Sequence, residues 1–273
     1  MNATFSRCAV AIHARASGSP SPAPAAVSGL RVFLLEAYSE FLRLLRAPSF
    51  SVPTIGFPLM FYLLFGVLLG PAHATPGGAR RTLASFMVLG TMAPGLFALG
   101  ITLAADREYR LLELKRALPM PRGTYLAAKM AMAMLFAAIV SLLLMLVGAV
   151  AAGVVLTLVA WCTLLVLAVL GVIPFCAIGL LVGTLARASA APAVLNLIYL
   201  PMSLLSGLLV PLSLLPRTLV QLAPLWPSWH LAQLAQGVVG TVPTAGIGWH
   251  LLALAAMSGA CLAGAWRALG KTR

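Results

Sequence analysis

Six long apolar runs, separated by short segments, decide what this sequence can fold into. They cover 53–70, 83–105, 130–150, 154–185, 192–215 and 247–266. A helix needs about 20 residues to cross the hydrocarbon core of a bilayer, and each run approaches or exceeds that length. Lipid offers no partner to backbone N–H and C=O groups, so such runs resolve as helices. Only 8% of the 273 residues are charged, against about 25% in a soluble domain. The fold class expected is an all-α membrane protein with six transmembrane helices.

Breaks in the runs predict irregularities. Pro58 falls in the opening turn of the first helix, and Pro94-Gly95 interrupts the second. Lys129 sits at the mouth of the third. The fourth run is longer than a crossing needs and contains Pro174, which predicts a kink or tilt. The fifth carries Asn196, Pro201 and Pro211. The apolar segment 216–246 is divided by Pro224, Pro227 and Pro243 and gathers Trp226, Trp229 and His230. Aromatic residues of this kind favour the headgroup level, so short interfacial or re-entrant helices are expected there.

The chain before the first run divides in two. Residues 1–28 are rich in Ala, Ser and Pro and contain Arg7 and Arg15 but no acid, which predicts a disordered tail. In 29–47, Glu36, Ser39, Glu40, Arg43 and Arg46 recur at helical spacing as a polar stripe. Leu34, Tyr38, Phe41 and Leu45 form the opposite one. This is the pattern of an amphipathic helix lying in the membrane interface, ended by Pro48 and Pro53.

The net charge of +13 is distributed by segment. With both termini on the cytoplasmic side, 15 Lys and Arg lie inside and only Arg80, Arg81 and Arg217 outside. Cytoplasmic segments carry such an excess, so both termini are expected to be cytoplasmic. The basic residues are not interleaved with aromatics on a polar face, which argues against a nucleic-acid partner.

The five acids are Glu36, Glu40, Asp106, Glu108 and Glu113, and none lies inside an apolar run. Intramembrane carboxylates mark ion pathways and proton relays, so their absence argues against a stand-alone secondary carrier or channel. His13, His73, His230 and His250 are far apart in sequence, with no nucleophile and acid beside them. No metal-ligand spacing joins the four cysteines. A membrane-embedded enzyme or assembly factor is therefore disfavoured. Residues 265–272 match a relaxed phosphate-loop pattern, but an apolar helix precedes it where a strand is required. Lys271 and Arg273 read instead as membrane anchors.

The segment 106–129 holds three acids and six basic residues. Within it Leu111, Leu112, Leu114 and Leu118 make a small apolar face on a short helix stopped by Pro119, suited to docking a partner. Asp106, Arg107 and Glu108 lead into Leu111-Leu-Glu-Leu114, with Glu113 inside that run. Pro119-Met-Pro121 and Tyr125-Leu-Ala-Ala-Lys129 follow. This order resembles the permease subunits of type-2 ABC exporters. Tyr109-Arg110 stands where that family commonly has Gly-Thr. Phe41-Leu-Arg-Leu-Leu-Arg46, Phe57-Pro-Leu-Met-Phe-Tyr62 and Asn196-Leu-Ile-Tyr-Leu-Pro201 are similar to stretches of drug- and antibiotic-export permeases.

The resemblance covers 29–273 and implies a multi-pass protein of the bacterial cytoplasmic membrane. It implies alternating access driven by a separate soluble ABC ATPase, with ATP and Mg held by that subunit and no cofactor on this chain. A second permease copy is expected as partner. The contact to the ATPase is expected at Asp106, Arg107, Glu108, Leu111, Leu112, Glu113, Leu114 and Pro119. Glu36, Glu40, Arg43 and Arg46 belong to the interfacial helix. Pro94, Pro174, Asn196 and Pro201, as breaks and a polar group at membrane depth, are candidates to line a path, with packing kinks as the rival reading. Small residues at four-residue spacing, Gly66 and Gly70, Gly179 and Gly183, and Ala256, Ala260 and Gly264, predict close helix packing. An apolar path suits a lipophilic or amphipathic substrate.

Overall fold

The computed structural model describes residues 29–69, 77–111, 123–243 and 246–271. Every regular element among them is a helix. Helix α1 spans Gly29–Leu45, and α2 (Pro48–Phe61) continues as a π-helical stretch, Tyr62–Leu68. Helix α3 (Gly78–Ala93) runs through a π-helical stretch, Pro94–Ala98, into α4 (Leu99–Glu108). Then come α5 (Thr124–Val150), α6 (Leu158–Leu170), α7 (Val172–Leu185) and α8 (Ala191–Leu205). A four-residue turn α9 (Arg217–Val220) precedes α10 (Pro227–Val238) and α11 (Ile247–Lys271).

Five helical rods are long and apolar enough to cross a membrane: Pro48–Leu68, Gly78–Glu108, Thr124–Val150, Leu158–Leu185 and Ile247–Ala268. The fifth apolar run yields a shorter helix, Ala191–Leu205. That helix stops because Ser206 and Gly207 (φ 76°) turn the chain and Pro211 follows. The second rod is the most enclosed, with 78% of its apolar window buried, and the last the least, at 11%. The core gathers around α3, whose residues Leu83 to Ala93 are all buried.

Several sequence expectations are corrected. Pro48 does not end the first helix; it opens the next, at a position where the missing N–H costs nothing. Pro53 and Pro58 lie inside α2. Pro94 does not interrupt the second rod. Its missing N–H is absorbed by widening to π-type bonds over Pro94–Ala98, and the rod continues. In the fourth rod the break falls at Gly171, between α6 and α7, rather than at Pro174. Thr157 caps α6 by accepting from the Ala160 N–H at 3.2 Å.

Glycines let α7 approach the second rod. A Cβ added at Gly179 would lie 2.6 Å from the Leu96 carbonyl oxygen, and one at Gly183 2.7 Å from that of Gly100. Pro94 and Pro174 are buried in the helices that make this contact. They line no path.

Helix α1 is rolled differently from the expectation. It packs on α5 through Ala37, Glu40 and Leu44, which are buried. Leu34, Tyr38 and Leu45 of the apolar stripe are exposed. The Phe41 ring packs at 5.1 Å, tilted by 51°, against Phe136 of α5, which Phe50 meets edge-on at 5.5 Å. Glu40, expected in the polar stripe, faces the bundle.

Candidate functional site: a buried charge quartet

Glu40, Arg43, Asp106 and Lys129 come together at one end of the bundle, from α1, α4 and α5. Lys129 is fully buried, and Glu40 and Asp106 are nearly so. The Lys129 Nζ lies 3.1 Å from Asp106 Oδ2 and 3.3 Å from Glu40 Oε1, and donates to Thr102 Oγ1 at 2.9 Å. Arg43 Nη2 pairs with Glu40 Oε2 at 2.5 Å, and Nη1 is 3.9 Å from Asp106 Oδ1.

Helical spacing builds the constellation. Thr102 and Asp106 lie four residues apart on the second rod, so both face α5. Tyr125 and Lys129 repeat that spacing on α5. The Tyr125 hydroxyl donates to Asp106 Oδ2, and its ring lies 4.9 Å from the Lys129 ammonium. The quartet holds two positive and two negative groups and is neutral as a set, with Lys129, Glu40 and Asp106 buried and Arg43 reaching solvent. Charges of this kind, if paired, hold segments in one register. If one is removed, a buried ion is left without a counterion. Tyr125→Phe removes one hydrogen bond to a carboxylate and is expected to lower stability by about 2 kcal/mol. Thermal unfolding of the purified full-length chain measures it.

The next two residues reach a different segment. Arg107 Nη2 donates to the Ala186 carbonyl at 2.8 Å, and Glu108 Oε2 accepts from the Ala188 N–H at 2.7 Å. The link between α7 and α8 is thereby tied to the end of α4. Arg110, with φ 56°, turns the chain out of the helix. Leu111 and Tyr109 are exposed.

Among the residues expected to meet an ATPase, Asp106 is thus buried in the quartet. Arg107 and Glu108 are engaged within the chain, and Leu111 is open. Leu112, Glu113, Leu114 and Pro119 lie outside the described residues. Lys129, placed by the sequence at the mouth of the third run and outside the expected contact set, is the centre of the site. Its clue was a lysine at helical spacing from Tyr125 at the mouth of an apolar run. Glu36 of α1 and Arg46, just past its end, lie outside the quartet.

A lateral cleft of about 320 Å³ opens between α2, the second rod and α8. The rings of Phe50, Phe57, Phe97 and Tyr199 line it, with Thr54 and Asn196 as polar groups. No charged side chain lines it among the described residues. Asn196 donates to the Pro192 carbonyl at 3.1 Å. Asn196 is the one path candidate found there; Pro201 is half-buried on α8.

Comparison with known proteins matches this architecture. Over 217 residues, 79% of this chain and 89% of the relative, the sequence is 24% identical to the protein named "Putative transport permease YvfS" of Bacillus subtilis (strain 168). The profile of the ABC-2 type transporter family matches residues 32–239, from α1 through α10 and including all four members of the quartet. The chain belongs to the ABC-2 type transporter family.

Proposed function

We propose that this chain is the membrane permease subunit of an exporter powered by a separate soluble ABC ATPase. Family membership supports a transporter permease. The observation that carries the rest is the buried quartet. It fastens α1 to the two rods that bracket 106–129, the segment proposed to receive the ATPase. Force applied there reaches three helices at once, because a paired buried charge cannot slide without exposing its partner. The ties from Arg107 and Glu108 to Ala186 and Ala188 add a second loop to the same unit.

The quartet end is proposed to face the cytoplasm of a bacterial cell, with ATP and Mg bound by the ATPase alone. Leu111 and Tyr109, exposed at the start of the segment, supply apolar contact area for that partner. The cleft is proposed as the substrate path, completed by a second permease copy. Its aromatic walls and lack of charge suit a lipophilic molecule with a hydrogen-bonding group for Asn196.

The reading is tested by growth of cells lacking the chain on a panel of lipophilic growth inhibitors. Deletion is expected to sensitise them to some of the panel. The wild-type gene should restore tolerance, and Asn196→Trp, which fills the cleft from an exposed position, should not. Restoration by Asn196→Trp to the wild-type level would remove the cleft from the path.

A further inference from the structure

The far end of the bundle, opposite the quartet, holds two histidines in direct contact. His230 lies on α10 and is buried; His250 is near the start of α11. Their Nδ1 atoms are 2.9 Å apart, and His230 Nε2 is 2.9 Å from the Pro224 carbonyl oxygen. The Trp229 ring packs on both, with centroids 5.0 Å and 5.4 Å away.

The partners fix the protons. A carbonyl oxygen only accepts, so His230 must donate from Nε2 to Pro224. In neutral His230, Nδ1 is then an acceptor, and His250 donates to it from its own Nδ1. One further proton does not break this contact. It can sit on His250 Nε2 and leave the Nδ1–H in place. It can also sit on His230 Nδ1, with His250 switching to its other tautomer. A second proton puts hydrogens on both Nδ1 atoms and adds like charges, so the contact fails.

Among the described residues no carboxylate offsets that repulsion, because Glu36, Glu40, Asp106 and Glu108 all belong to α1 or α4. The elements packed on α10 are α3, α6, α11 and the turn Ala223–Leu225. Apart from His250, α3 brings Arg80 and Arg81, exposed at its start, and α6 brings Cys162, exposed. Cys261, Arg267 and Lys271 lie further along α11, toward its other end, and the turn brings only the Pro224 carbonyl.

We propose that this pair is an acid-opened clasp, holding α10 to α11 while the rings share at most one added proton and releasing it when both are charged. Other polar contacts also hold α10. Ser228 shares a 2.5 Å hydrogen bond with Ser206, just past α8, and donates to the Met202 carbonyl of α8 at 3.3 Å. Gln236 donates to Ser85 of α3 at 3.2 Å, and its backbone carbonyl accepts from Thr241 Oγ1 at 3.0 Å. All are formed by groups that do not titrate in this range, so only the α11 side is released by acid. Burial, and next to it His250, hold the His230 imidazole below its ordinary value, against the pull of the Pro224 carbonyl. A base with a lowered value in the folded state keeps its contact above the ordinary histidine range and loses it as pH falls.

Hydrogen exchange of the full chain in lipid nanodiscs, corrected for intrinsic rates, tests this between about pH 7.5 and pH 5. Exchange in Pro227–Val238 is expected to accelerate about tenfold at the lower pH, with Thr124–Val150 unchanged. In His250→Phe one ring remains and the acceleration should disappear. A second reading needs no variant: imidazole nitrogen shifts of histidine-labelled wild-type chain should show two linked titrations. Unchanged α10 exchange in the wild type, an undiminished acid response in His250→Phe, or two independent ordinary titrations would each overturn the clasp.

Discussion

Lys129→Met is expected to destabilise the protein by about 3–5 kcal/mol and to abolish transport. The side chain is fully buried, so methionine fits the space with little loss of packing. The charge is what disappears. Glu40 and Asp106, nearly as buried, then face each other across α1 and α4 with only Arg43 to offset them, and half of the Arg43 side chain is in solvent. An uncompensated buried carboxylate is among the few single lesions with effects of this size. Removing all three charges together, in Glu40→Gln, Asp106→Asn and Lys129→Met, should recover much of the stability. Apolar or neutral replacements for a complete buried set are often tolerated. The proposed coupling role separates the two readouts: the triple variant should fold and still transport poorly. Unfolding temperatures of the purified proteins and compound tolerance of the cells provide the two measurements. A Lys129→Met protein as stable as wild type would mean that water reaches the quartet.

Gly179→Leu is expected to be nearly as damaging, for a steric reason. Its added Cβ would meet backbone: the Leu96 oxygen at 2.6 Å and the Gly95 oxygen at 2.8 Å. A flexible side chain could turn aside, but a helix backbone moves only as a body. The second rod and α7 must separate, and the contacts on both sides of the glycine open with them. Overpacking costs about 1–3 kcal/mol where side chains can adjust, and here the upper end or beyond is expected. Gly259, exposed on α11, has nothing within 4 Å of an added Cβ, so Gly259→Leu serves as the control and should be near neutral. Yield and thermal unfolding of the two variants give the comparison. Equal stability would contradict the close approach of α7 to the second rod.

These two sites differ in how far the sequence announces them. The four-residue spacing of Gly179 and Gly183 is a local pattern, and its meaning, close approach of helices, is readable without knowing the neighbour. The quartet is assembled across 89 positions, from Glu40 to Lys129. Its register depends on how α1 rolls on α5. A hydropathy stripe assigned Glu40 to the wet face because charged residues are costly to bury. The burial of Ala37 and Leu44, one turn either side of it, reverses that assignment. Small and apolar residues at −3 and +4 around this acid are the clue.

Apolar runs located the rods well, because length and hydropathy are what a bilayer demands. They could not locate the π-helical stretches at Tyr62–Leu68 and Pro94–Ala98, since hydropathy carries no record of hydrogen-bond register. Nor could they foresee that the fifth run would divide at Ser206-Gly207. The His230–His250 contact is of the same kind as the quartet. Two residues 20 apart meet only because α10 folds back against α11.

In the function proposed, this chain transmits work done by a separate ATPase. Purification of the tagged full chain from its own cells in mild detergent, followed by assay of Mg-ATP hydrolysis, tests it most directly. A soluble ABC ATPase is expected to remain bound at one copy per permease, with hydrolysis in the preparation. Both should be lost when exposed Leu111 and the adjacent Leu112 are changed to Asp, in a permease whose own unfolding temperature is unaltered. A chain that purifies without any nucleotide-hydrolysing subunit, and whose vesicles move substrate on an ion gradient alone, would contradict it.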